Sequence, residues 1–442
     1  MRVLLIYPKS RIPDKIILPP LGLTYIATIL SRTANCEVEI VDERIDDVDI
    51  ISKAKKYELI GFSTHIHNIK RSLFLAHMIK KNNPDVRVVF GGPWVSCTGF
   101  LKSKDVDYIV LGEGEFSFLN LVKKLSSGEK PKIRIISSKS IENLDNIPFP
   151  DYSFYKNFSS YMSNEGVRPH VMLLTSRGCP FPCTFCTKKV FGYRVRIRNP
   201  KNIIKEVKYL VENFGVKGID IADDNFGFNK RFAIKICELL AKEKLGVIIN
   251  CTNGLRIETI TKKLLKKMKQ ANFHKISIGI ESGDIGILRH VKKRIDFEKA
   301  IKVVKWCREL GIIVQAFFML GLPGDNKNTI KKTLDFAKRL NPHYAYFHMA
   351  LPFPGTELYK EILRNGEFLF DIDNGLDKGY FSHEPLFILP GMNTGVIECY
   401  AKRCYKEFYL RPKKIFDVLF TLRNFNQFIW SIKSFVTIVN KF

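Results

Sequence analysis

The sequence is short of acidic residues and lacks any apolar run of about 18 residues, the length that a transmembrane helix needs. It also lacks internal repeats and low-complexity segments. Hydrophobic residues make up 45% and charged residues 26% of the 442 positions. These values exclude a disordered, collagen-like or fibrous chain, and the length predicts about two to four domains with buried cores.

The shortage of acidic residues leaves a large positive charge. Asp and Glu number 44 against 71 Lys and Arg, so the formal net charge is +27. Such an excess suggests an anionic partner, which could be nucleic acid, a membrane surface or a phosphorylated substrate. General use of Lys and Ile across a proteome explains the same charge equally well. Charge alone therefore does not select a function class.

The ten cysteines bear on the cellular compartment in which the protein is expected. The opening residues, MRVLLIYPKS, lack the small-residue cleavage site of a secretory signal. We therefore expect a cytoplasmic protein, in which spaced cysteines are more often metal ligands than disulfides.

The first 135 residues alternate between short apolar runs and helical patterns such as 23–31 and 69–81, which predicts a doubly wound α/β domain with a parallel sheet. Glycine-rich turns at 91–93 and 112–115 follow the later runs, at the strand ends where ligands bind in such sheets. The strand-like runs are Val3–Tyr7, Val38–Val41, Leu59–Ser63, Val86–Phe90 and Tyr108–Leu111.

A second βα alternation follows a Pro- and Asp-containing linker predicted over 136–165. Its six units predict a partial (β/α)6 barrel over 166–385, with the active site at the carboxyl ends of the strands. The strand-like runs are Val171–Thr175, Gly218–Ala222, Val247–Cys251, Lys275–Ile280, Ile312–Leu320 and Tyr344–Leu351.

Residues 386–442 are predicted to form a basic, aromatic, helical extension. Residues 401–442 contain nine Lys or Arg, two acidic residues and ten aromatics. The pattern is typical of an amphipathic helix, either docked on the barrel or lying on an anionic bilayer on the inner face of the membrane. Both alternatives stay open.

Three cysteines form the strongest motif. Cys179, Cys183 and Cys186 have the spacing C-x3-C-x2-C directly after the first strand of the second domain. Three thiolates on one loop can ligate three irons of a cubane cluster and leave the fourth iron open. A zinc site needs a fourth ligand, and no nearby Cys or His supplies one.

The cysteine motif resembles that of the radical S-adenosylmethionine (SAM) superfamily. The resemblance implies a [4Fe-4S] cluster on the three cysteines, with SAM chelating the open iron and being cleaved to methionine and a 5'-deoxyadenosyl radical. It also implies further SAM-binding residues at the strand ends, with a possible anion-binding arginine pair. These candidates are Phe185, Asp223, Asp224, Asn225, Ser277, Glu281, Gly321, Gly324, Arg196 and Arg198.

The first domain resembles the cobalamin-binding domain that precedes the radical SAM barrel in one branch of the superfamily, and the two resemblances together cover roughly residues 1–385. The likeness is carried by the order and spacing of six short pieces followed by the cysteine motif. The pieces are Leu4–Pro8, Pro19–Tyr25, Val41-Asp42, Gly61–Thr64, Gly91–Pro93 and Gly112–Glu115. The implied cobalamin-binding residues are Ser63, Thr64, His65, Gly91, Gly92, Pro93, Glu113 and Gly114.

One family element is absent from the first domain. The loop after the first strand, 9–15, contains no histidine. The Asp-x-His-x-x-Gly motif that supplies a cobalt ligand in methionine-synthase-like domains is therefore missing. We expect bound cobalamin to lack that lower ligand, while His65 and His67 could line the corrin.

The resemblance implies a cobalamin-dependent radical SAM enzyme. The expected reaction is methyl transfer to an unactivated carbon of a lipid, tetrapyrrole or other secondary metabolite, with electrons from a donor such as ferredoxin or flavodoxin. A radical SAM cyclase or oxidoreductase is the alternative. An RNA-binding Fe-S protein is disfavoured because no strand-rich module follows the barrel. No acid or base residue is assigned from the sequence, and the oligomeric state stays open.

Overall fold

The structure, a computed structural model, describes residues 1–10, 17–34, 36–99, 101–129, 131–163, 166–370 and 384–419. The chain forms two compact units. The first contains Met1–Met162 and Thr187–Arg198, and the second contains Ser163–Cys186, Asn199–Phe370 and the described residues after 383. Each unit is built around one parallel sheet.

The described residues contain strands and helices that alternate along most of the chain. The strands are β1 (Arg2–Tyr7), β2 (Glu37–Asp42), β3 (Leu59–Ser63), β4 (Arg87–Gly91), β5 (Tyr108–Leu111), β6 (Ile135–Ser137), β7 (His170–Leu173), β8 (Ser176–Arg177), β9 (Arg196–Ile197), β10 (Gly218–Ile221), β11 (Ile248–Leu255), β12 (Phe273–Glu281), β13 (Ile313–Leu320), β14 (Tyr344–Met349), β15 (Glu367–Phe368) and β16 (Phe387–Ile388). The helices are α1 (Leu21–Thr33), α2 (Ile50–Ala54), α3 (Ile69–Asn82), α4 (Pro93–Thr98), α5 (Gly114–Ser126), α6 (Pro200–Phe214), α7 (Lys230–Glu243), α8 (Lys262–Gln270), α9 (Ile285–His290), α10 (Phe297–Glu309), α11 (Lys327–Leu340), α12 (Glu357–Asn365), α13 (Thr394–Tyr409) and α14 (Pro412–Leu419).

The first unit has a six-stranded parallel sheet in the order β2-β1-β3-β4-β5-β6. Its central strands are continuous apolar runs, as expected for a sheet with helices on both faces. Val3, Leu4 and Ile6 of β1 have no exposed surface. The doubly wound fold expected from the sequence is confirmed, with β6 as an additional edge strand.

Part of the predicted linker is folded into this unit. The Tyr161 hydroxyl donates to Asp42 at 3.0 Å, and the Tyr155 hydroxyl lies 2.8 Å from the Thr24 hydroxyl. Burial raises the pKa of both tyrosines far above the ordinary value, so both phenols stay protonated. Their buried rings attach this segment to β2 and α1.

The second unit has a six-stranded parallel sheet in the order β14-β13-β12-β11-β10-β7. Helices follow the strands, so the predicted partial barrel is confirmed. The first of these helices, α6, begins where the sequence indicates: Asn199 caps it by accepting from the Lys201 N–H, Pro200 occupies the first turn, and Gly215 ends it with φ 61°.

Side chains alternate between the two faces of this sheet. On β14, Ala345 and Phe347 are buried under helices, and Phe347 contacts the ring of Tyr405 on α13. Tyr346 and His348 therefore lie on the opposite, concave face, where they are half-buried. This concave face is the interior of the partial barrel.

Helix α13 covers the edge of β14. The Tyr405 hydroxyl lies 3.0 Å from the Phe347 nitrogen and 3.2 Å from its carbonyl oxygen. The Tyr409 hydroxyl makes the same pair of hydrogen bonds with Ala345, at 3.0 and 2.9 Å. The first part of the C-terminal extension is therefore docked on the barrel.

The remainder of the predicted extension, 420–442, lies outside the described residues. Among the helices that the structure describes, none has both the length and the apolar character needed to span a bilayer.

Candidate cofactor sites

The three cysteines lie on one loop of the second unit, between β8 and α6. Cys179 is buried, whereas Cys183 and Cys186 are half-buried. The loop is fixed at Thr184, whose N–H donates to the Val291 carbonyl at 3.1 Å and whose carbonyl accepts from the Leu358 N–H at 3.0 Å. Two distant segments of the barrel therefore position the chain between the cysteines.

An arginine outside every motif of the sequence contacts this loop. The Nη1 of Arg256, a residue only 9% exposed, donates to the Cys183 Sγ at 3.3 Å. Its guanidinium lies 3.8 Å from the centroid of the Phe181 ring, and its Nε lies 3.3 Å from the Glu258 carboxylate. Arg256 therefore brings a positive charge and a hydrogen-bond donor to one of the three cysteine sulfurs.

The two carboxylates of the Asp-Asp-Asn motif anchor the chain just before the first cysteine. Asp223 accepts from the Thr175 N–H at 2.6 Å and from the hydroxyls of Thr175 and Ser176 at 2.5 and 2.6 Å. Asp224 accepts from the Gly178 N–H at 2.8 Å. Burial raises the pKa of Asp223 to about 6, although the donated hydrogen bonds oppose this rise. Both carboxylates thus have local structural partners.

Asn225 differs from its two neighbours. Its side chain is only 4% exposed, and neither its amide nitrogen nor its amide oxygen has a hydrogen-bond partner among the described residues. Buried amides are nearly always paired in folded proteins. An orphaned amide beside the cysteine loop fits a polar ligand group, such as the amino acid portion of SAM.

The cysteine loop supplies three thiol donors, the number that a cubane cluster with one open iron takes from the protein. In the part of the chain that the structure describes, no three Cys, His, Asp or Glu side chains converge on a point that would hold one metal ion. A cubane cluster takes its protein ligands at separate irons, so it is a different kind of site from a single ion. The donor set of three thiolates matches that requirement.

The interior of the barrel carries polar side chains on neighbouring strands. The Ser277 hydroxyl donates to the Gln315 side-chain oxygen at 3.0 Å, and the Gln315 amide lies 3.3 Å from the Tyr346 hydroxyl. Next to them, the rings of Phe317, Tyr346 and His348 lie with centroids 5.7 to 5.9 Å apart. Ser277, predicted to meet SAM, therefore belongs to an interior network that the sequence did not reveal.

A second interior pair lies on β7 and β10. His170 Nε2 is 3.2 Å from the Asp220 carboxylate. Burial alone would raise the pKa of Asp220, but the nearby His170 and the charge of Lys275 outweigh it and lower the pKa. A Cβ on Gly218 would lie 2.1 Å from His170 Nδ1, which explains the glycine.

Glu281 has a partner of its own. Its carboxylate meets the Lys293 ammonium at 2.5 Å, and both side chains are at least nine-tenths buried. Its backbone has φ 67°, at an irregularity in the pairing of β12 with β13. The strand end predicted to face SAM is thus occupied by a buried ion pair.

The remaining SAM candidates of the second unit lie in turns. Gly321 and Gly324 have φ of 74° and 86°, which glycine adopts easily, and Asp325 closes their turn by accepting from the Leu322 N–H at 3.1 Å. Phe185 is half-buried within the cysteine loop. These positions stay predictions for SAM.

Arg196 and Arg198 belong to the first unit, where they have carboxylate partners. Arg196 meets Glu113 at 2.5 Å and also donates to the carbonyls of Ile141 and Phe191. Arg198 lies 3.9 Å from Asp145. Both arginines are about nineteen-twentieths buried. Both arginines therefore have structural partners within the first unit. Glu113, which was predicted to bind cobalamin, is the ion-pair partner of Arg196.

Most of the predicted cobalamin residues lie at the carboxyl ends of β3, β4 and β5. The Thr64 N–H and hydroxyl both donate to the Gly91 carbonyl, at 2.8 and 2.7 Å, and its carbonyl accepts from the Trp94 N–H at 3.0 Å. Gly92 has φ 96°, and a Cβ there would lie 2.8 Å from the Thr64 backbone and 3.3 Å from the Ser63 hydroxyl. Pro93 begins α4, and Gly114 begins α5.

His65 lies between these turns and the end of β1. Its ring centroid is 5.5 Å from that of Tyr7, and its side chain is partly exposed. Burial lowers the pKa of His65 to about 4, and the nearby His67 and Arg44 contribute to the same effect. The imidazole is therefore neutral at physiological pH.

Two known protein families match this chain, one in its first part and one in its second part. Residues 173–337 match the model of the radical SAM superfamily, and residues 15–122 match that of the B12 binding domain. An uncharacterized methyltransferase of Pyrococcus horikoshii is 32% identical over 96% of each chain. The chain belongs to the radical SAM superfamily and carries a B12-binding domain. Its cofactors are therefore a [4Fe-4S] cluster, SAM and cobalamin, as the sequence predicts.

Other relatives of this radical SAM enzyme have several activities in their names. An anaerobic magnesium-protoporphyrin IX monomethyl ester cyclase of Rubrivivax gelatinosus is 26% identical, over 93% of this chain and 78% of its own. Among solved structures, the radical SAM methyltransferase TsrM of Kitasatospora setae matches with a TM-score of 0.66 and 18% identity, covering 82% of this chain and 76% of its own. The last similarity shows the shared fold.

Proposed function

We propose that the chain is a cobalamin-dependent radical SAM methyltransferase that adds a methyl group to a carbon of a small molecule. The observation that carries this proposal is the presence of a radical SAM domain and a B12-binding domain in one chain whose relative at 32% identity is named a methyltransferase. When bound, the cluster and SAM supply a hydrogen-abstracting radical, and cobalamin supplies the methyl group.

Different residues of the second unit would hold the cluster and SAM. Cys179, Cys183 and Cys186 would ligate the cluster, and Arg256 would donate a hydrogen bond to the Cys183 sulfur. We propose that the orphaned amide of Asn225 binds the amino or carboxylate group of SAM. Asp223 and Asp224 are then positioning residues, because they fix the chain before Cys179.

The concave face of the barrel suits a substrate with an unsaturated ring system. Phe317, Tyr346 and His348 present a patch of rings there, and Gln315 adds an amide beside them. Ring faces pack well against other planar systems. Relatives named for tetrapyrrole substrates, such as the bacteriochlorophyllide d C-12(1)-methyltransferase of Chlorobaculum tepidum at 25% identity, support the same class.

The alternative is a radical SAM cyclase or oxidoreductase that transfers no methyl group. The similarity to a cyclase over 93% of this chain favours it. One experiment separates the two without a known substrate: the anoxically reconstituted enzyme is incubated with hydroxocobalamin, a low-potential reductant and SAM that carries a deuterated methyl group.

A methyltransferase is expected to release S-adenosylhomocysteine and to carry about one labelled methyl group per bound cobalamin, detected by mass spectrometry. Formation of 5'-deoxyadenosine without any labelled cobalamin would overturn the methyltransferase proposal and favour the alternative. A Cys183→Ala variant is the control for reactions that need the cluster. It should form no 5'-deoxyadenosine.

Two partners complete the proposal. A reduced ferredoxin or flavodoxin would supply single electrons to the cluster.

A contact with an anionic membrane through residues 401–442 would involve the part beyond α13, because Ala401, Cys404 and Phe408 are buried against the barrel. Sedimentation with anionic liposomes, comparing the full chain with one ending at residue 419, tests this contact: equal sedimentation would contradict it.

A further inference from the structure

The order of the first sheet locates a crevice at the carboxyl ends of β1 and β3. The chain runs from β1 outward to β2 and then returns to the opposite side of β1 to form β3. Ligands of doubly wound sheets bind where the strand order reverses in this way. Tyr7 ends β1 and Ser63 ends β3, so His65 lies two residues beyond this switch point.

Asn68 fixes the backbone around His65. Its side-chain nitrogen donates to the Ser63 carbonyl at 3.1 Å and to the Pro8 carbonyl at 3.3 Å, which joins the ends of β3 and β1. Its side-chain oxygen accepts from the His65 N–H at 2.7 Å. Asn68 is 2% exposed, so these bonds are shielded from water. Together with the Thr64 bonds to Gly91, they hold the peptide on both sides of His65.

The imidazole of His65, in contrast, is not tied by hydrogen bonds. Among the described residues, neither of its ring nitrogens has a hydrogen-bond partner, and its side chain is partly exposed in the crevice next to the Tyr7 ring. The backbone of His65 is therefore fixed, and its ring nitrogens are available to a ligand in the crevice. Imidazole is a common ligand of first-row transition metals.

We propose that His65 supplies a nitrogen ligand to the cobalt when cobalamin is bound. The ligand would come from the loop after β3, whereas the loop after β1, 9–15, has no histidine to offer. This replaces the expectation that the cobalt lacks a lower protein ligand. Asn68 is the positioning residue for it. The inference rests on cobalamin being a cofactor of this chain.

The test is the electron paramagnetic resonance spectrum of the enzyme loaded with cob(II)alamin, made from protein labelled with 15N only in histidine and with its cluster kept oxidised. A histidine ligand is expected to split each cobalt line into a doublet. Ligation by the cofactor's own unlabelled benzimidazole would give a triplet. Either a triplet or unsplit lines in the labelled enzyme would overturn the proposal.

Two variants assign the doublet to a residue. The His65→Gln variant is expected to lose the doublet. The His67→Gln variant is the matched control and should keep the doublet. The cobalt content per chain is measured for both variants. A doublet that persists in His65→Gln and disappears in His67→Gln would also overturn the proposal. A wild-type enzyme that takes up no cobalt would instead overturn the cofactor assignment, so the two failures are distinguishable.

Discussion

Replacing Arg256 should change the reduction potential of the cluster. Its guanidinium donates to the Cys183 sulfur at 3.3 Å from a site that is 9% exposed. Reduction adds one negative charge to the cluster and its ligands, so a cation and a hydrogen bond at a ligand sulfur stabilise the reduced state more than the oxidised state. Removing both should make the cluster harder to reduce.

The size of the shift in reduction potential follows from the hydrogen bond between Arg256 and Cys183. A hydrogen bond to a charged group contributes about 1.5–3 kcal/mol, and about half of that distinguishes the two redox states. A difference of about 1.4 kcal/mol corresponds to about 59 mV for a one-electron couple. We therefore expect Arg256→Met to lower the midpoint potential by about 30–65 mV. Arg256→Lys should lower it less, because it keeps the charge.

The assay is an anoxic redox titration of the reconstituted cluster, followed by the signal of its reduced form. Lys262→Met is the matched control, because it removes one positive charge from an exposed residue that pairs with Glu309. A potential within about 15 mV of wild type for Arg256→Met, or one raised above it, would refute the reasoning. Iron content measured in parallel shows whether each variant still carries a cluster.

Three further changes test other contacts. Tyr405→Phe should lower the free energy of unfolding by about 1–3 kcal/mol, because it leaves buried backbone groups of β14 unpaired, whereas Tyr400→Phe on the same helix should have little effect in urea titrations. Asn225→Ala should weaken SAM binding about tenfold or more by calorimetry, and the exposed Asn213→Ala should not; equal affinities would contradict our SAM assignment. Gly92→Ala should melt at a lower temperature and take up less cobalamin than Gly128→Ala, since both have positive φ but only Gly92 meets backbone atoms at 2.8 Å; equal melting would argue against the collision.

The local sequence pattern predicted the elements of the fold well. All eleven strand-like runs named from apolar patterning are strands of the two sheets, with bounds that differ by a few residues. In the two six-stranded sheets the missed strand is β6, Ile135–Ser137, which has only three residues and alternates between exposed and half-buried positions. The two-residue strands β8, β9, β15 and β16 were not predicted either. An edge strand of that length has too little apolar surface to leave a pattern.

The candidate sites were predictable where one short motif supplies the residues, as in the cysteine loop. Contacts between distant residues were not. Arg256 is 73 positions from Cys183, and its role follows only from the fold. Likewise, the family resemblance implied a SAM contact for Glu281 at the end of its strand, whereas the structure pairs its carboxylate with Lys293, twelve residues later.

The tyrosine pair on α13 has a consequence for the sheet it covers. Four residues along a helix advance about 6 Å, and two residues along a strand advance about 6.6 Å, so Tyr405 and Tyr409 can match alternate peptides of β14. Exposed strand edges otherwise recruit strands from other molecules. A helix thus takes the place of a seventh strand, and chains that terminate before Tyr405 should associate through β14 into larger assemblies.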